Sequence, residues 1–257
     1  MHPYCSPKLN TMKKYVGLAL LIISFLSACT KQNELYSTAS LNDYFPLQVG
    51  KYITYDLDST VFINFGLKDT VIKYQVKDSI ENQITDNLGR PAFRIVHYMR
   101  KNSGQSWTAS NTFMAVANFT DIEFVENNLR FIKLVLPIKQ DYTWKGNTYI
   151  DTYSLNSATK YLDDWDYAYD SVNVPITLSG GPLINNTIKV NQRDEFLGQD
   201  PKLPTTQYAE RNYSVEKYAK NIGLVYKEFL HWEYQGTQSG SPGFTGYGVK
   251  LTMTSHN

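Results

Sequence analysis

Alternating apolar and polar positions dominate the chain from Tyr44 onward and predict short β-strands. In residues 70–80, Ile72, Tyr74 and Val76 fall on one face, and lysine and glutamine occupy the positions between them. Comparable runs lie at residues 51–57, 92–101, 107–116, 119–125 and 129–136. Stretches of helical periodicity are few, so the pattern predicts an all-β domain.

Short turn segments separate these runs and favour hairpins over βαβ crossovers. Asn127-Asn128 is the clearest turn between two runs, and Gly180-Gly181-Pro182 and residues 199–206 interrupt the second half. We therefore predict an antiparallel meander that forms a curved sheet or a barrel-like domain, with a two-sheet β-sandwich as the alternative. Residues 156–166 are predicted to form the one short helix.

The final hairpin is predicted to be a core element, with strands at residues 224–234 and 247–254. Leu230, Trp232 and Tyr234 share one parity, and Tyr247, Val249, Leu251 and Met253 repeat the alternation across the loop. On this pattern we expect Trp232 to be buried, so that its truncation to alanine would cost about 3–5 kcal/mol.

The first 28 residues have a different pattern. From Met12, two lysines precede the apolar run Val16–Leu26, which is typical of a signal peptide and shorter than the roughly 20 residues that cross a bilayer. Residues 1–11 are predicted to be an extension upstream of the true start at Met12. An ordinary secretory signal that happens to end in cysteine is the alternative to the lipoprotein signal described next.

Leu26-Ser27-Ala28-Cys29 resembles the lipobox that lipoprotein signal peptidase cleaves before the cysteine. The Cys29 sulfur would then carry diacylglycerol, and acylation of the new amino group, for example by palmitate, would make membrane attachment lasting. We predict residues 29–40 as a lipidated polar tether and residues 41–257 as a single β-rich domain. Threonine at position 30, where aspartate would favour inner-membrane retention, favours the outer membrane.

Charge and cysteine content exclude further classes of function. Residues 1–28 contain three lysines and no acidic residue, so the processed chain has 22 basic and 24 acidic side chains. A near-neutral surface without a basic run argues against nucleic acid as a partner. The two cysteines, Cys5 and Cys29, precede the folded domain, which excludes thiolate metal sites and disulfides within it.

No catalytic, metal or cofactor motif stands out in the rest of the sequence. His97 shares a face with Ile95 and Met99 and is predicted to be a hydrogen-bonded core histidine. His231-Trp232-Glu233 resembles the H-x-E element of zinc deaminases but lacks their cysteine pair. The carboxylates at positions 163, 164, 166 and 170 are the best metal candidate, although a solvated acidic turn is favoured over calcium binding.

Three classes of function remain open. The favoured class is a non-enzymatic binding or envelope-assembly module whose partner is a glycan, a lipid or an envelope protein. An aromatic surface or cleft, given 20 tyrosines, could serve such binding. The alternative is a secreted glycan hydrolase with paired carboxylates among Asp121, Glu123 and Glu126, of which the first two share a face. A structural subunit of an envelope complex would expose an apolar patch.

Two segments carry a resemblance to a known group of proteins. Residues 43–52 (DYFPLQVGKY), followed by Tyr55 and residues 58–60, resemble the start of uncharacterised Bacteroidota-type lipoproteins. Residues 218–228 (YAKNIGLVYKE) are similar to their carboxy-terminal segment. The resemblance implies an extracytoplasmic β domain and says nothing about activity. Gly223 is expected to form a turn before the final hairpin.

Replacing Cys29 by serine should abolish lipidation and leave the precursor unprocessed, because the sulfur that receives diacylglycerol is lost. Metabolic labelling with radioactive palmitate measures this directly. The matched control is Cys5→Ser, which should label like the wild type. Equal label in the Cys29→Ser variant and the wild type would contradict the lipobox assignment.

Overall fold

A computed structural model describes residues 40–236 and 242–257, which contain twelve β-strands, a short α-helix and a 3-10 helix. The α-helix, α1, spans Leu41–Tyr44 and the 3-10 helix spans Lys160–Leu162. The strands are β1 (Tyr52–Ile63), β2 (Lys68–Thr85), β3 (Pro91–Arg100), β4 (Thr108–Ala117), β5 (Asp121–Glu126), β6 (Leu129–Val135), β7 (Thr143–Lys145), β8 (Asp166–Thr177), β9 (Leu183–Gly198), β10 (Tyr208–Ala219), β11 (Gly223–Gln235) and β12 (Gly243–His256).

These strands form one antiparallel sheet, in the order β6-β5-β4-β3-β2-β1-β12-β11-β10-β9-β8-β7. Neighbouring strands are consecutive in the chain, except that β1 lies beside β12, with Leu57 opposite Leu251. The sheet curves into a nearly closed barrel. The predicted all-β antiparallel meander with a barrel-like shape is confirmed, and a single sheet replaces the sandwich alternative.

Residues with positive φ form the tight turns. Asn127 and Asn128 have φ of 52° and 63°, the left-handed pair that a two-residue hairpin between β5 and β6 requires. Asn221 and Gly223 have φ of 65° and 112° between β10 and β11, so the predicted turn at Gly223 is confirmed. The predicted breaks at residues 180–182 and 199–206 fall between β8 and β9 and between β9 and β10.

One backbone hydrogen bond and two side chains connect the edge strand β6 to β7 and β8. The amide of Ile132 donates to Gly146 O at 2.8 Å, and the Trp144 indole donates to Ile132 O at 2.8 Å. The Tyr169 hydroxyl accepts from Val135 N at 3.0 Å and donates to Val135 O at 2.7 Å. Backbone groups of the β6 edge that a ladder would otherwise pair are thus satisfied, as burial requires.

The chain segments outside the ladder pack into the main hydrophobic core. Leu41 and Tyr44 of α1 are buried there, together with Leu162 and Trp165 of the stretch between β7 and β8. The helix predicted at residues 156–166 is largely wrong, because that stretch forms turns around the three-residue 3-10 helix. Its apolar side chains pack into the core from turns and not from one face of a helix.

Trp232 lies on the outer face of the sheet, so the prediction that it is a core residue is wrong. Its ring packs at 5.1 Å from Phe244 and 5.9 Å from Phe196, between ring centroids, and it remains half-buried. Phe229, at the opposite parity on β11, faces the interior instead. Both faces of β11 carry large apolar side chains, so alternation alone could not choose the inner one.

The signal peptide, the lipobox with Cys29 and the tether up to residue 39 fall outside the described residues. Their predicted roles remain predictions from the sequence. Within the described part of the chain, no helix has the length and apolar character needed to cross a membrane.

Removing the Tyr169 hydroxyl should destabilise the protein, because both backbone groups of Val135 lose their partner at a buried edge. We expect Tyr169→Phe to lower the free energy of unfolding by about 1–3 kcal/mol, measured by urea denaturation. Tyr153→Phe is the matched control, since that side chain is 84% exposed. A Tyr169→Phe midpoint equal to that of the control would contradict the role of this hydroxyl in joining β6 to β8.

Candidate functional site

The barrel encloses a cavity of about 510 Å³. Most of its lining side chains are aromatic or aliphatic and come from β1–β6 and β8–β12. Among the lining residues, Ser110, Asn111 and Asn127 are exposed and mark where the cavity reaches solvent. Barrels of about eight strands are filled by their own side chains, whereas this larger barrel retains interior space.

Four charged side chains project into this cavity from opposite parts of the sheet and form what we call the interior ion-pair cluster. It consists of Glu126, Lys133, Glu216 and Lys227. Lys133 Nζ lies 2.8 Å from a Glu216 oxygen and 3.6 Å from a Glu126 oxygen. Lys227 Nζ lies 3.1 Å from Glu126 and 3.9 Å from Glu216. Each ammonium group therefore contacts both carboxylates.

Two members of the cluster, Lys133 and Glu216, are buried, the other two are partly buried, and both carboxylates remain ionised. Burial alone would raise the pKa of Glu126, but Lys227 and Lys133 lower it to about 2. The same two lysines lower the pKa of Glu216 against its burial, and the carboxylates raise the pKa of Lys227 above its ordinary value. Two carboxylates and two ammonium groups balance, so the cluster carries no net charge at neutral pH.

Polar groups next to the cluster extend it along the cavity wall. The Tyr218 hydroxyl donates to Glu216 at 2.5 Å, and burial, followed by Glu216, raises the pKa of Tyr218 well above its usual range. The Ser214 hydroxyl donates to Gln192 Oε1 at 2.6 Å. Gln192 Nε2 is buried and has no hydrogen-bond partner among the described residues. Gln192, which lines the cavity, therefore has an amide donor that makes no hydrogen bond to the described residues.

The histidines of the interior are hydrogen-bonded rather than arranged as metal ligands. His97 pairs with Asp78 through Nδ1 and lines the cavity, which confirms the prediction of a hydrogen-bonded core histidine. His231 stacks on Tyr161 with ring centroids 3.9 Å apart, and its Nδ1 bonds to Asn212 Oδ1 at 2.8 Å. Burial lowers the pKa of His231, so this ring is neutral at neutral pH.

Of the three carboxylates proposed for glycan hydrolysis, Asp121 and Glu123 lie together and Glu126 lies apart from them. Glu126 faces the cavity, whereas Glu123 is buried against Arg90 and Arg130 on the other face of β5. Asp121 lies near Glu123, and both accept from the Asn118 amide, at 2.7 and 2.9 Å. The predicted shared face of Asp121 and Glu123 is confirmed. The pKa of Glu123 is lowered, since its arginine and asparagine partners outweigh burial, which unsuits it as a general acid.

The acidic residues at 163–170 pair with side chains at several different places. Asp164 and Asp166 both pair with Lys145, while Asp163 accepts from the Thr152 hydroxyl. Asp170 pairs with Lys189 at 3.1 Å. In the described residues, no group of three or more His, Cys, Asp or Glu side chains is placed to hold a metal ion.

Sequence reasoning missed Lys133, Glu216, Lys227 and Gln192. One signal was available in the sequence, namely a charged residue on the apolar face of a strand. Lys133 lies two residues after Phe131, so the two side chains share a face, and both line the cavity. Lysine and glutamate are almost never fully buried unless paired, so such a position invites a search for a partner. Glu126 lies on the strand next to Lys133, but the partner across the barrel, Glu216, lies 83 residues away, beyond the reach of any local pattern.

The two segments that resemble Bacteroidota-type lipoproteins meet in space. Asn221 donates its amide to Asp43 O, and Lys220 pairs with the Asp43 carboxylate at 3.3 Å. Lys51 Nζ donates to Asn221 O at 2.9 Å. Gly223 packs against Ile53, where an added Cβ would lie 3.2 Å from the side chain. The two segments thus contact each other where β1 begins and at the turn between β10 and β11.

Two of the solved structures that are similar to this chain are both 12% identical to it in sequence. One, described as an exported protein with a YmcC-like fold, is from Bacteroides fragilis; the alignment covers 82% of this chain and 99% of that one, with a TM-score of 0.36. The other, described as a lipoprotein, is from Parabacteroides distasonis, with 83% and 98% covered and a TM-score of 0.31. No protein-family model and no curated protein matches the chain.

Replacing Glu126 by glutamine should destabilise the protein, because two buried ammonium groups lose part of their compensating charge. We expect a loss of about 3 kcal/mol at neutral pH in urea denaturation. The stabilisation from Glu126 is present above its ordinary pKa of 4.5 and is lost as pH falls towards its folded value of about 2. The difference between Glu126→Gln and the wild type should therefore narrow over this range.

Asp58→Asn is the control for this experiment, because its partner Lys73 lies 3.7 Å away on the surface with a side chain 78% exposed. That change should cost less than about 1 kcal/mol. A Glu126→Gln loss no larger than that of Asp58→Asn, or a difference from wild type that is constant with pH, would contradict the energetic role given to the cluster.

Proposed function

We propose that this protein is a non-enzymatic, lipid-anchored protein of the cell envelope that binds a small, largely apolar molecule inside its barrel. The observation that carries the proposal is the cavity of about 510 Å³ within the sheet. Ligand cavities of small molecules typically measure about 300–1,000 Å³ and are lined by apolar and aromatic side chains with a few placed polar groups. The interior of this barrel has that composition.

The wall chemistry supports binding of apolar surface. Phe113, Phe124 and Phe229 line the cavity, as do several tyrosines and the buried Trp165. Aromatic side chains offer large contact areas at small entropic cost, and their hydroxyl groups can orient a bound molecule. The exposed rim at Ser110, Asn111 and Asn127 provides a polar route between this interior and solvent.

The state of the interior carboxylates supports a role without catalysis. General acid catalysis at neutral pH needs a carboxyl group with a raised pKa, whereas Glu126 and Glu216 both have lowered values. Each is committed to lysine partners that hold it ionised. The interior groups are suited to fixing a shape and a polarity for a guest molecule.

The cellular location is proposed from the sequence. The lysine-led apolar run, the Leu26–Cys29 lipobox and the polar residues 29–40 support export, lipidation at Cys29 and attachment to a membrane. Threonine at position 30 supports the outer membrane.

A second candidate, a role in envelope assembly, is favoured by the apolar surface outside the barrel. Phe65 and Leu67 at the β1–β2 turn are 97% and 66% exposed, and Phe196 is 47% exposed beside Trp232. An apolar surface of this kind is typical of contact with another macromolecule. The cavity favours ligand binding as the first proposal, since it is a formed site with both apolar and polar walls.

Filling the cavity should abolish binding. Val249 lines it and faces Phe229 on the neighbouring strand, so a Val249→Trp indole would occupy ligand space. We expect the full chain in lipid nanodiscs to bind the uncharged fluorophore N-phenyl-1-naphthylamine, and Val249→Trp to bind it at least about ten-fold more weakly. Fluorescence titration, with the signal of empty nanodiscs subtracted, measures both affinities.

The matched control is Val71→Trp, which places the same indole on β2 at a residue that is 48% exposed. This variant should bind the fluorophore as the wild type does. Equal affinity of Val249→Trp and Val71→Trp, or binding no stronger than to empty nanodiscs, would contradict the proposal that the interior is a ligand site.

A further inference from the structure

The cavity wall contains one polar group whose hydrogen bonding is incomplete. Gln192 is 3% exposed, its Oε1 accepts from Ser214, and its Nε2 has no partner within the described residues. A buried amide donor without an acceptor is unfavourable, because it has given up its hydrogen bond to water and gained none in exchange. A molecule that brought an acceptor oxygen to this position would recover that free energy on binding.

The charges of the cavity determine which kind of acceptor fits. The interior ion-pair cluster is already balanced, since Lys133 and Lys227 are each within 4 Å of both Glu126 and Glu216. On the rest of the wall, the Asp78 carboxylate is hydrogen-bonded to His97 Nδ1, and Lys51 donates to two backbone carbonyl oxygens. A carboxylate or an amine entering the space beside the cluster would lose its hydration, and the cluster has no unpaired counter-charge to offer it.

From these two observations we infer that the ligand is an uncharged, lipid-like molecule whose carbonyl oxygen accepts a hydrogen bond from Gln192 Nε2. Esters and ketones with an apolar chain or ring system have this chemistry. The inference rests on the proposed function and adds the class of ligand and the residue that recognises it. Gln192 is then the specificity-determining residue of the cavity, and Ser214 holds its amide in the donating orientation.

The test compares three molecules of matched chain length as competitors for bound N-phenyl-1-naphthylamine, with the full chain in nanodiscs at neutral pH. Methyl laurate has a carbonyl and no charge, laurate is charged, and dodecane has no acceptor. We expect methyl laurate to compete about ten-fold more strongly than either of the others, which corresponds to one buried hydrogen bond or one uncompensated charge.

Variants of the amide assign the preference to Gln192. Gln192→Leu, and the double variant Gln192→Leu with Ser214→Ala, which also removes the orphaned hydroxyl, should bring methyl laurate and dodecane to within about two-fold of each other. Asn191→Leu is the control, because the adjacent Asn191 amide donates to Asp170 on the exposed surface. It should keep the ester preference of the wild type.

The outcomes separate the two proposals. If the fluorophore binds and all three molecules compete equally, the cavity is a ligand site and the recognition through Gln192 is overturned. Laurate competing as strongly as the ester would overturn the requirement for an uncharged ligand. Retention of the ester preference in the double variant would overturn the role of Gln192. Failure of the fluorophore itself to bind contradicts the proposed function instead.

Discussion

The interior ion-pair cluster is the interaction on which the rest of the structure depends. Hydrogen bonds between neighbouring strands hold the meander together locally, but they do not connect distant strands across the interior. The cluster does so, because Glu126 and Lys133 from β5 and β6 meet Glu216 and Lys227 from β10 and β11. Each charge has lost solvation that its partners must replace, so these strands are held at a fixed separation. The cavity lies beside this cluster, between the strands that it connects.

The same cluster explains why the interior remains partly empty. A barrel of this size could be filled by larger apolar side chains, but a charged group needs its partners at about 3 Å and tolerates no intervening bulk. Aromatic side chains such as Phe131, over whose ring Lys133 lies at 4.7 Å, supply the neighbouring wall. The result is a space with a polar floor and apolar sides, in which Gln192 retains an unused donor.

The sequence predicted the architecture well, because turns and alternation are local properties. Asn127-Asn128 specifies a hairpin by its own backbone preference, and Tyr247, Val249 and Leu251 face inward as their parity indicates. Parity failed at Trp232, where Phe196 and Phe244 provide an apolar environment outside the barrel.

The candidate site could not be predicted from turns and alternation, for a different physical reason. Lysine and glutamate favour solvent unless each finds a partner, and the hydrogen-bonded partner of Lys133, Glu216, lies on a strand 83 residues later in the chain. No property of either segment alone records that pairing. The placement of Glu123 and Glu126 on opposite faces of β5 could be inferred, whereas their arginine and lysine partners could not.

The pairing of β1 with β12 has a consequence for chain connectivity. These strands join residues about 200 positions apart, with Ile53 opposite His256, while the open edges β6 and β7 are neighbours in the middle of the sequence. Contacts of such long range are slow to form because the loop between them must close first. A circular permutant that linked residue 257 to residue 40 and began between β6 and β7 would turn every strand pairing into a sequential hairpin. In the native order, the two strands most distant in the chain pair at the centre of the sheet. The two strands at the ends of the sheet, β6 and β7, are consecutive near the middle of the chain.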